Sequence, residues 1–337
     1  MFEIPVPDEA ARLAALERLD GLVKPLGSLG RLEEIAAWLC AAHGSVPPRP
    51  LDDVHVVVFA GDHGVSALSA YPREVTAAMV RVFLAGQSGV NVLAAQVGAS
   101  VRVADIGVDW DGSDVPAEVT AHKIRRGSGS IDVEDALLPG EALAAFEAGR
   151  AIADESAEAD LLIPGDMGIG NTAVCAAIVG ASLGLPAEDV VGTGTGVTED
   201  GLARKIEAVT AALSRTADRV DDPFERLTAL GSACLAATAG FLVQAAVRGI
   251  PVLLDGVFSG AAALVARDIA PGAERWWLAG HRSTEPSQAF ALKALGLTPI
   301  LDLGLRLGEG SGAVQAVPTL RAARAIIADM GLLADLA

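Results

Sequence analysis

The chain is poor in cysteine, in aromatic residues and in positive charge. Its 337 residues include three cysteines and 4% aromatic residues, and 25 Lys and Arg stand against 43 Asp and Glu. Cys40, Cys175 and Cys234 have no paired spacing, which gives neither a disulfide framework nor a cysteine zinc site and is typical of a reducing compartment. The net charge of -18 argues against nucleic acid or an anionic membrane as a partner, because both require basic surfaces.

Targeting and metal-binding patterns are also missing. Residues 1–5 (MFEIP) lack the cationic start and apolar core of a signal peptide, and no apolar run approaches the ~20 residues of a membrane helix. The five histidines show no H-x-x-x-H spacing, so we expect no metal site. With 51% hydrophobic residues the chain can bury a large core. We therefore expect a cytoplasmic protein whose ligand is a small molecule, and an anionic one remains possible because backbone N–H groups can bind it.

Apolar runs alternate with helix-like periodicity along most of the chain. This alternation predicts an α/β fold with a doubly wound, Rossmann-like parallel sheet. The predicted strands are residues 54–59, 101–106, 160–163, 251–254, 276–279 and 298–301. Predicted helices cover residues 75–97, 140–156, 171–183, 200–213 and 224–247, and a helical hairpin covers residues 8–44. A closing helix, residues 313–330, is expected to return to the hairpin. We therefore predict a small helical domain from residues 1–46 and 313–337, and a large α/β domain from residues 51–312.

One acidic residue near the C-terminal end is a candidate general base. Glu309 lies between two glycines in residues 306–312 (RLGEGSG), directly before the predicted closing helix. The helix N-terminus favours the ionised carboxylate, whereas burial raises its pKa toward the range useful to a base. Flanking glycines allow a planar ligand to approach closely. The alternative is a tight turn with a helix-capping acid.

Two glycine-rich turns are candidate phosphate sites. Residues 165–172 (GDMGIGNT) lead into a predicted helix, whose free N–H groups can bind phosphate, and residues 192–196 (GTGTG) offer a second turn of this kind. Neither is a dinucleotide fingerprint, since position 197 is Val, and no Gly-Lys-Ser/Thr triplet forms a P-loop. Lys205 is placed to contact a phosphate, with a solvated lysine as the alternative. Because ligands of such sheets bind at the carboxyl ends of the strands, we expect these turns to converge on one site.

Three further polar residues follow strands or turns. Asp255 ends an apolar strand before a glycine, so we expect its carboxylate to face the crevice. Arg306 is expected to pair with Glu309 or with a phosphate, and a surface ion pair is the alternative. His63 is interpreted as a polar residue at a strand end, hydrogen-bonded to Asp62, and not as a metal ligand.

Several motifs together resemble one family, the nicotinate-nucleotide–dimethylbenzimidazole phosphoribosyltransferases, which make the lower-ligand nucleotide of cobalamin. The matching segments, in order, are residues 24–33 (KPLGSLGRLE), 61–65 (GDHGV), 168–172 (GIGNT), 251–256 (PVLLDG) and 306–312 (RLGEGSG). They extend over nearly the whole chain, and the first and last are long and specific.

The resemblance implies a homodimer, no cofactor, and roles for individual residues. Glu309 would be the general base and Asp166 a second acidic residue of the site. The nucleotide and its phosphate would be bound by residues of the glycine turns, by a lysine and by a serine that follows the tryptophan strand. These substrate-binding candidates are Gly168, Gly170, Asn171, Gly194, Lys205 and Ser283, together with Asp255 and Arg306. Tyr71 and Met79 would border the acceptor base.

The sequence departs from the family pattern at three places. Asp166 is one methylene shorter than the usual glutamate, and residues 231–234 (GSAC) replace a stretch that is usually more acidic. Ala78 and Met79 stand near the position of a frequent glutamine. An apolar acceptor site discriminates weakly between bases, so we expect a permissive one.

The chemistry of the implied reaction fits these residues. Nicotinate mononucleotide carries a pyridinium on ribose, so its leaving group departs as a neutral ring. The acceptor base must lose an N–H proton while its other nitrogen attacks C1′, and one carboxylate is enough for that. Two other functions stay open at this point: a catalytically silent nucleotide-binding relative, which the intact Glu309 disfavours, and a dinucleotide-dependent oxidoreductase, which the incomplete glycine fingerprint disfavours.

Overall fold

The computed structural model describes residues 2–336 and contains one six-stranded parallel sheet in that range. The strand order is β2-β1-β3-β4-β5-β6, and every neighbouring pair is parallel. The strands are β1 (Val54–Gly61), β2 (Ser100–Gly107), β3 (Leu161–Met167), β4 (Val252–Leu254), β5 (Trp277–His281) and β6 (Pro299–Leu301). The predicted α/β class and the parallel, doubly wound sheet are confirmed.

Helices connect successive strands and cover both faces of the sheet. They are α1 (Glu9–Asp20), α2 (Arg31–His43), α3 (Val75–Leu84), α4 (Gly89–Val97), α5 (Ala117–Thr120), α6 (Glu141–Asp154), α7 (Asn171–Leu183), α8 (Ala187–Val190), α9 (Glu199–Thr216), α10 (Pro223–Leu230), α11 (Ala233–Arg248), α12 (Val257–Ile269), α13 (Pro286–Leu295) and α14 (Ser311–Asp329).

The interior strand β1 is buried on both faces. Val57 and Phe59 pack into one apolar cluster with α6, α7, α11 and α12. Val56 and Val58 pack into a second cluster, which contains residues of α1, α2, α3, α4 and α14. A parallel strand that is covered on both sides needs an apolar residue at every position. Successive side chains of β1 therefore pack alternately into the two apolar clusters.

The two chain ends pack together, as the sequence predicts. Helix α14 contacts α2 and α1, and Arg18 of α1 donates to the carbonyl oxygen of Ile327 in α14 at 2.6 Å. Leu22 forms an antiparallel bridge with Leu332. The buried side chains of these helices belong to the same apolar cluster as Val56 and Val58 of the sheet. The division into two domains stays a prediction.

Two predicted long helices are in fact pairs of shorter ones. The apolar stretch Val75–Val97 has the length and composition of a membrane span, contrary to the expectation that no apolar run approaches that length, but it bends between α3 and α4. Ser88 caps α4 in a reciprocal bond with Asn91, which starts a new helix there. Similarly, Ser232 accepts from the N–H of Leu235 and starts α11 after α10 has ended. Helices α12 and α13 were not among the predicted elements.

The order of the strands places a crevice above β1 and β3. The chain passes from β1 outward to β2 and then returns to add β3 on the other side of β1. At such a reversal, the loops after neighbouring strands run in opposite directions and leave an opening at the carboxyl ends. The residues after β1, β3, β4 and β5 are therefore the first place to look for a site.

Candidate active site

Glu309 is held in a buried turn directly before α14. It is 3% exposed, and among residues 2–336 it is the one non-glycine residue with a positive φ, 67°. Neighbouring backbone is very close, since a Cβ added to Gly165 in β3 would overlap the carbonyl oxygen of Glu309. A left-handed conformation costs free energy in a residue with a side chain, so tight packing must hold it. The turn thus presents one carboxylate in a defined place.

The carboxylate of Glu309 lies at the N-terminus of a helix, but this helix is α4 and not the closing helix that the sequence suggests. Its Oε2 accepts from the backbone N–H of Val90, in the first turn of α4, at 3.1 Å. Burial raises the pKa of Glu309, the hydrogen bond from Val90 offsets part of this rise, and the negative charge of Asp255 adds to it. A raised pKa brings the group closer to the working range of a general base.

Asp166 is the second acidic residue of the site, and it lies in β3 instead of in the turn that follows. It is 8% exposed, and its Oδ2 accepts from the side-chain amide of Asn171 at 2.6 Å. Burial raises the pKa of Asp166 to about 7, against the lowering effect of Asn171 and with a further rise from the charges of Asp255 and Glu309. The carboxyl group therefore titrates near neutral pH in the free protein.

The two glycine-rich turns do meet, and they form one hollow, which we call the glycine hollow. It is lined by residues 168–173, residues 193–195 and Lys205. Gly170, with φ of 97°, directly precedes α7, and the first residues of that helix line the hollow. The amine of Lys205 donates to the hydroxyl of Thr172 at 2.9 Å and to the carbonyl of Gly192 at 2.7 Å, and burial lowers its pKa. A helix N-terminus and a buried amine together suit an anion.

A second hollow continues from the first. We call it the central hollow; it is lined by Asp166, Asn171, Gly194, Ser283, Glu285 and Arg306, among others. The turns after β3 and β5 and the turn before α14 all contribute, as convergence at the carboxyl ends of the strands predicts. Three of the predicted residues that are distant in sequence, Asp166, Ser283 and Arg306, are therefore brought together.

A wider apolar groove adjoins the central hollow. It has a volume of about 560 Å³ and is lined by Tyr71, Val75, Met79, Met167, Leu307 and Glu309, among others. Thr195, Arg306 and Leu307 line both the groove and the central hollow. This volume lies within the range of small-molecule sites, about 300–1,000 Å³. Met79 and Tyr71 thus line the same groove as the candidate base, and their contact with an acceptor base stays a prediction.

The carboxylate of Asp255 does not face the crevice, although the sequence led us to expect that it would. Its side chain is 2% exposed, and its oxygens accept from Ala313 at 2.9 Å and Gly310 at 3.2 Å, at the start of α14. His281 lies 3.3 Å from one of these oxygens. Because the N–H groups of α14 engage both oxygens, Asp255 holds the turn of Glu309 instead of facing the crevice.

Two expected pairings of polar residues are wrong, Arg306 with Glu309 and His63 with Asp62, whereas the pairing of Arg306 with a phosphate stays a prediction. Arg306 makes no ion pair with Glu309 among residues 2–336, and its guanidinium donates to the carbonyl of Gly194 at 3.4 Å. His63 is not hydrogen-bonded to Asp62: it is fully buried beneath Gly168, and neither ring nitrogen has a partner among residues 2–336. Burial lowers the pKa of His63 to about 4, so the ring is neutral. In the same range, no group of three or more His, Cys, Asp or Glu side chains is arranged to hold a metal ion.

Residues that the sequence analysis did not select also line the site. Glu285 lies in the central hollow, Met167 in the apolar groove, and Thr172 and Thr195 at the junction of the hollows. Glu285 follows β5 by four residues, in the same turn as Ser283. Its position shortly after a strand is the sequence feature that could have identified it. The Ser232 and Cys234 departures lie at the buried start of α11 and line none of the three spaces.

Comparisons with known proteins agree on one family. A family model described as phosphoribosyltransferase matches residues 4–336. A nicotinate-nucleotide–dimethylbenzimidazole phosphoribosyltransferase of Mycolicibacterium paratuberculosis is 54% identical over 333 residues, which cover 98% of this chain and 95% of the relative. One of Mycobacterium tuberculosis is 53% identical over 331 residues, covering 97% and 91%. The crystal structure of CobT from Thermus thermophilus superposes with a TM-score of 0.92 at 44% identity and covers 97% of this chain and 98% of that one.

Proposed function

The chain belongs to the nicotinate-nucleotide–dimethylbenzimidazole phosphoribosyltransferase family, and from this premise we propose how its site carries out the transfer. The enzyme is a pentosyltransferase that moves the phosphoribosyl group of nicotinate mononucleotide onto 5,6-dimethylbenzimidazole or a related base. The products are nicotinate and an α-riboside 5′-phosphate, the nucleotide of the cobalamin lower ligand.

The arrangement of the two hollows and the groove is the observation that carries the proposal. The glycine hollow offers the N-terminus of α7 and the amine of Lys205, which suit the 5′-phosphate. The central hollow shares Asn171, Thr172 and Gly194 with it and is assigned to the ribose. The apolar groove with Glu309 is assigned to the acceptor base. Phosphate, sugar and base therefore follow one another in the order in which the nucleotide links them.

The reaction exchanges one C–N bond for another. The bond from C1′ to the pyridinium nitrogen breaks, and its electron pair stays with nicotinate, which leaves as a neutral ring nitrogen. A nitrogen lone pair of the benzimidazole forms the new bond to C1′ from the opposite face, which gives the α-riboside. The proton on the other benzimidazole nitrogen passes to the carboxylate of Glu309. Its raised pKa makes Glu309 a better acceptor of this proton than an exposed glutamate would be.

Asp166 stabilises the positive charge that develops on the sugar. It must be ionised for this purpose, and its pKa of about 7 in the free protein leaves a fraction protonated at neutral pH. The pyridinium of bound nicotinate mononucleotide is a cation, and a nearby opposite charge lowers the pKa of a carboxyl group. Substrate binding thus favours the ionised form when it is needed. Asn171 keeps the carboxylate aimed by its hydrogen bond.

Homodimer formation and a cytoplasmic location are further parts of the proposal. The three cysteines are free and buried, which suits a reducing compartment. Exposed leucines such as Leu26 and Leu303 are available to a second subunit, although single exposed apolar residues are common on monomers. Sedimentation velocity at micromolar concentration tests the dimer, and a single species of monomer mass would contradict it.

Incubation of the protein with nicotinate mononucleotide and dimethylbenzimidazole, followed by mass detection, tests the transfer. The expected products are nicotinate and the phosphorylated dimethylbenzimidazole riboside in equal amounts. Binding of nicotinate mononucleotide without any riboside would point to a catalytically silent relative instead. Tight binding of NAD with no riboside would favour an oxidoreductase.

A further inference from the structure

The carboxylate of Glu285 is a buried acidic group for which the fold provides only half of the hydrogen bonds. Glu285 is 4% exposed and precedes α13, but its side chain does not cap that helix. Its Oε1 accepts from the backbone N–H of Gly194 at 2.7 Å. Its Oε2 has no hydrogen-bond partner among residues 2–336. A buried carboxylate oxygen without a donor costs free energy, so this oxygen calls for an explanation.

Neighbouring groups do not satisfy this oxygen. Burial lowers the pKa of Lys205 and the charge of Glu285 opposes this effect, yet the amine of Lys205 donates to Thr172 and to the carbonyl of Gly192. The hydroxyl oxygen of Ser283 accepts a hydrogen bond from the backbone N–H of Glu285 at 3.3 Å. If Glu285 only anchored the turn of residues 192–196, one oxygen would be enough. Glu285 lines the central hollow, and its second oxygen is buried in that wall beside Gly192.

The position of Glu285 limits the ligand group that can meet it. A phosphate would be repelled by a carboxylate, and the glycine hollow with Lys205 provides the better place for an anion. The groove with Glu309 is apolar and suits a flat ring. Between them, the central hollow must take a neutral group that donates hydrogen bonds. In a nucleotide, the part between phosphate and base that donates hydrogen bonds is the ribose, through its 2′- and 3′-hydroxyl groups.

We propose that Glu285 is a substrate-binding residue that accepts a hydrogen bond from a ribose hydroxyl of nicotinate mononucleotide and so selects ribose over deoxyribose. The proposal rests on the proposed function and adds sugar specificity to it. A hydrogen bond to a carboxylate is stronger than one between neutral groups, and a deoxy sugar would leave Oε2 buried and unpaired. Both effects penalise the deoxy ligand.

The test is calorimetric binding of nicotinate mononucleotide and its 2′-deoxy and 3′-deoxy forms to the whole protein and to Glu285→Gln. The glutamine oxygen keeps the bond to the N–H of Gly194, so the turn is preserved. We expect the unchanged protein to bind one deoxy form roughly 10–100-fold more weakly than the ribonucleotide, the scale of a hydrogen bond to a charged group. In Glu285→Gln this ratio should fall to less than about fivefold. Glu199→Gln, an exposed residue at the start of α9, is the matched control and should leave the ratio unchanged.

Three outcomes would overturn the proposal, and they can be told apart. Equal losses of affinity for ribose and deoxyribose ligands in Glu285→Gln would make Glu285 only an anchor of the turn. Absence of discrimination in the unchanged protein would exclude a contact with either hydroxyl, although the proposed function would stand. Failure of the unchanged protein to bind any of these nucleotides would remove the proposed function and this inference together. A melting curve of each variant shows whether it is folded.

Discussion

The carboxylate of Asp255 accepts a hydrogen bond from the backbone N–H of Ala313 at 2.9 Å, which ties the end of β4 to the first turn of α14. Its other oxygen accepts from Gly310, the residue directly after Glu309. The first N–H groups of a helix have no partner within the helix, so an acceptor from elsewhere in the fold stabilises them. Asp255 therefore supports the turn that presents Glu309, the proposed base.

Replacement of Asp255 by Ala tests this supporting role. We expect a loss of about 1–3 kcal/mol in the free energy of unfolding, because two N–H groups lose a charged partner in a buried place. The kcat should fall, since the turn of Glu309 loses its support, while KM for nicotinate mononucleotide changes little. Denaturant unfolding and steady-state kinetics measure these quantities. A large rise in KM with unchanged stability would return Asp255 to the substrate-binding role that the sequence suggested.

The raised pKa of Asp166 predicts a pH dependence of stability. Between the ordinary value of 3.8 and about 7, the folded protein holds a proton at Asp166 that the unfolded chain has released. The protonated form stabilises the fold below pH 4, and this contribution is lost as pH rises through about 7. Asp166→Asn has no such proton. From pH 4 to pH 8 its free energy of unfolding should therefore rise relative to that of the unchanged protein, by on the order of a few kcal/mol.

Urea unfolding of both proteins at several pH values measures this difference. The comparison removes the contributions of all other carboxyl groups, because both proteins share them. A difference in unfolding free energy that stays constant from pH 4 to pH 8 would contradict the raised pKa.

Lys205 should recognise the phosphate. Lys205→Ala is expected to weaken binding of nicotinate mononucleotide by roughly 10–100-fold, since a charge-assisted contact is lost. Nicotinate riboside, which lacks the phosphate, should be affected much less. Calorimetry with both ligands measures the ratio. Because Lys205 also binds Thr172 and Gly192, equal losses for the two ligands would mean that it only supports the turns.

The apolar groove predicts a permissive choice of acceptor base. Met79 and Met167 line it beside Glu309, and methionine adapts to differently shaped ligands. Apolar pockets discriminate a missing methyl group by about 1–3 kcal/mol, so dimethylbenzimidazole, benzimidazole and adenine should react within roughly 10–200-fold of one another. Competition between equimolar bases, with mass detection of the ribosides, measures this. One base that exceeds the others by far more than this range would show a selective pocket.

The sequence predicted the layers of the fold better than the borders of its elements. The predicted strand of residues 160–163 ends before Pro164, but β3 continues to Met167. The strand continues because β3 pairs with β1 through this segment, where Pro164 lies opposite Val57. Similarly, the breaks at Ser88 and Ser232 depend on side-chain caps inside long apolar stretches, whose period alone indicates one helix.

The site was partly predictable for a physical reason. The carboxyl ends of parallel strands meet at one edge, so Asp166 and Ser283 could be brought together from the strand pattern, whereas Gly194 follows the short helix α8. The contact between Glu309 and the N–H of Val90 joins residues 219 positions apart, and local patterns carry no information about it. The role of Asp255 was missed for the same reason, because its partners belong to a helix that starts 56 residues later.

The rate of riboside formation by Glu309→Gln tests the central claim most directly. Glutamine keeps an oxygen for the N–H of Val90 but cannot accept a proton from the base. We predict a kcat at least about 10²-fold below that of the unchanged protein, with the affinity for nicotinate mononucleotide little altered, and loss of the rise in rate with pH that follows ionisation of Glu309. A variant with near-normal turnover and the same pH profile would contradict the assignment of Glu309 as the base and move it to Asp166.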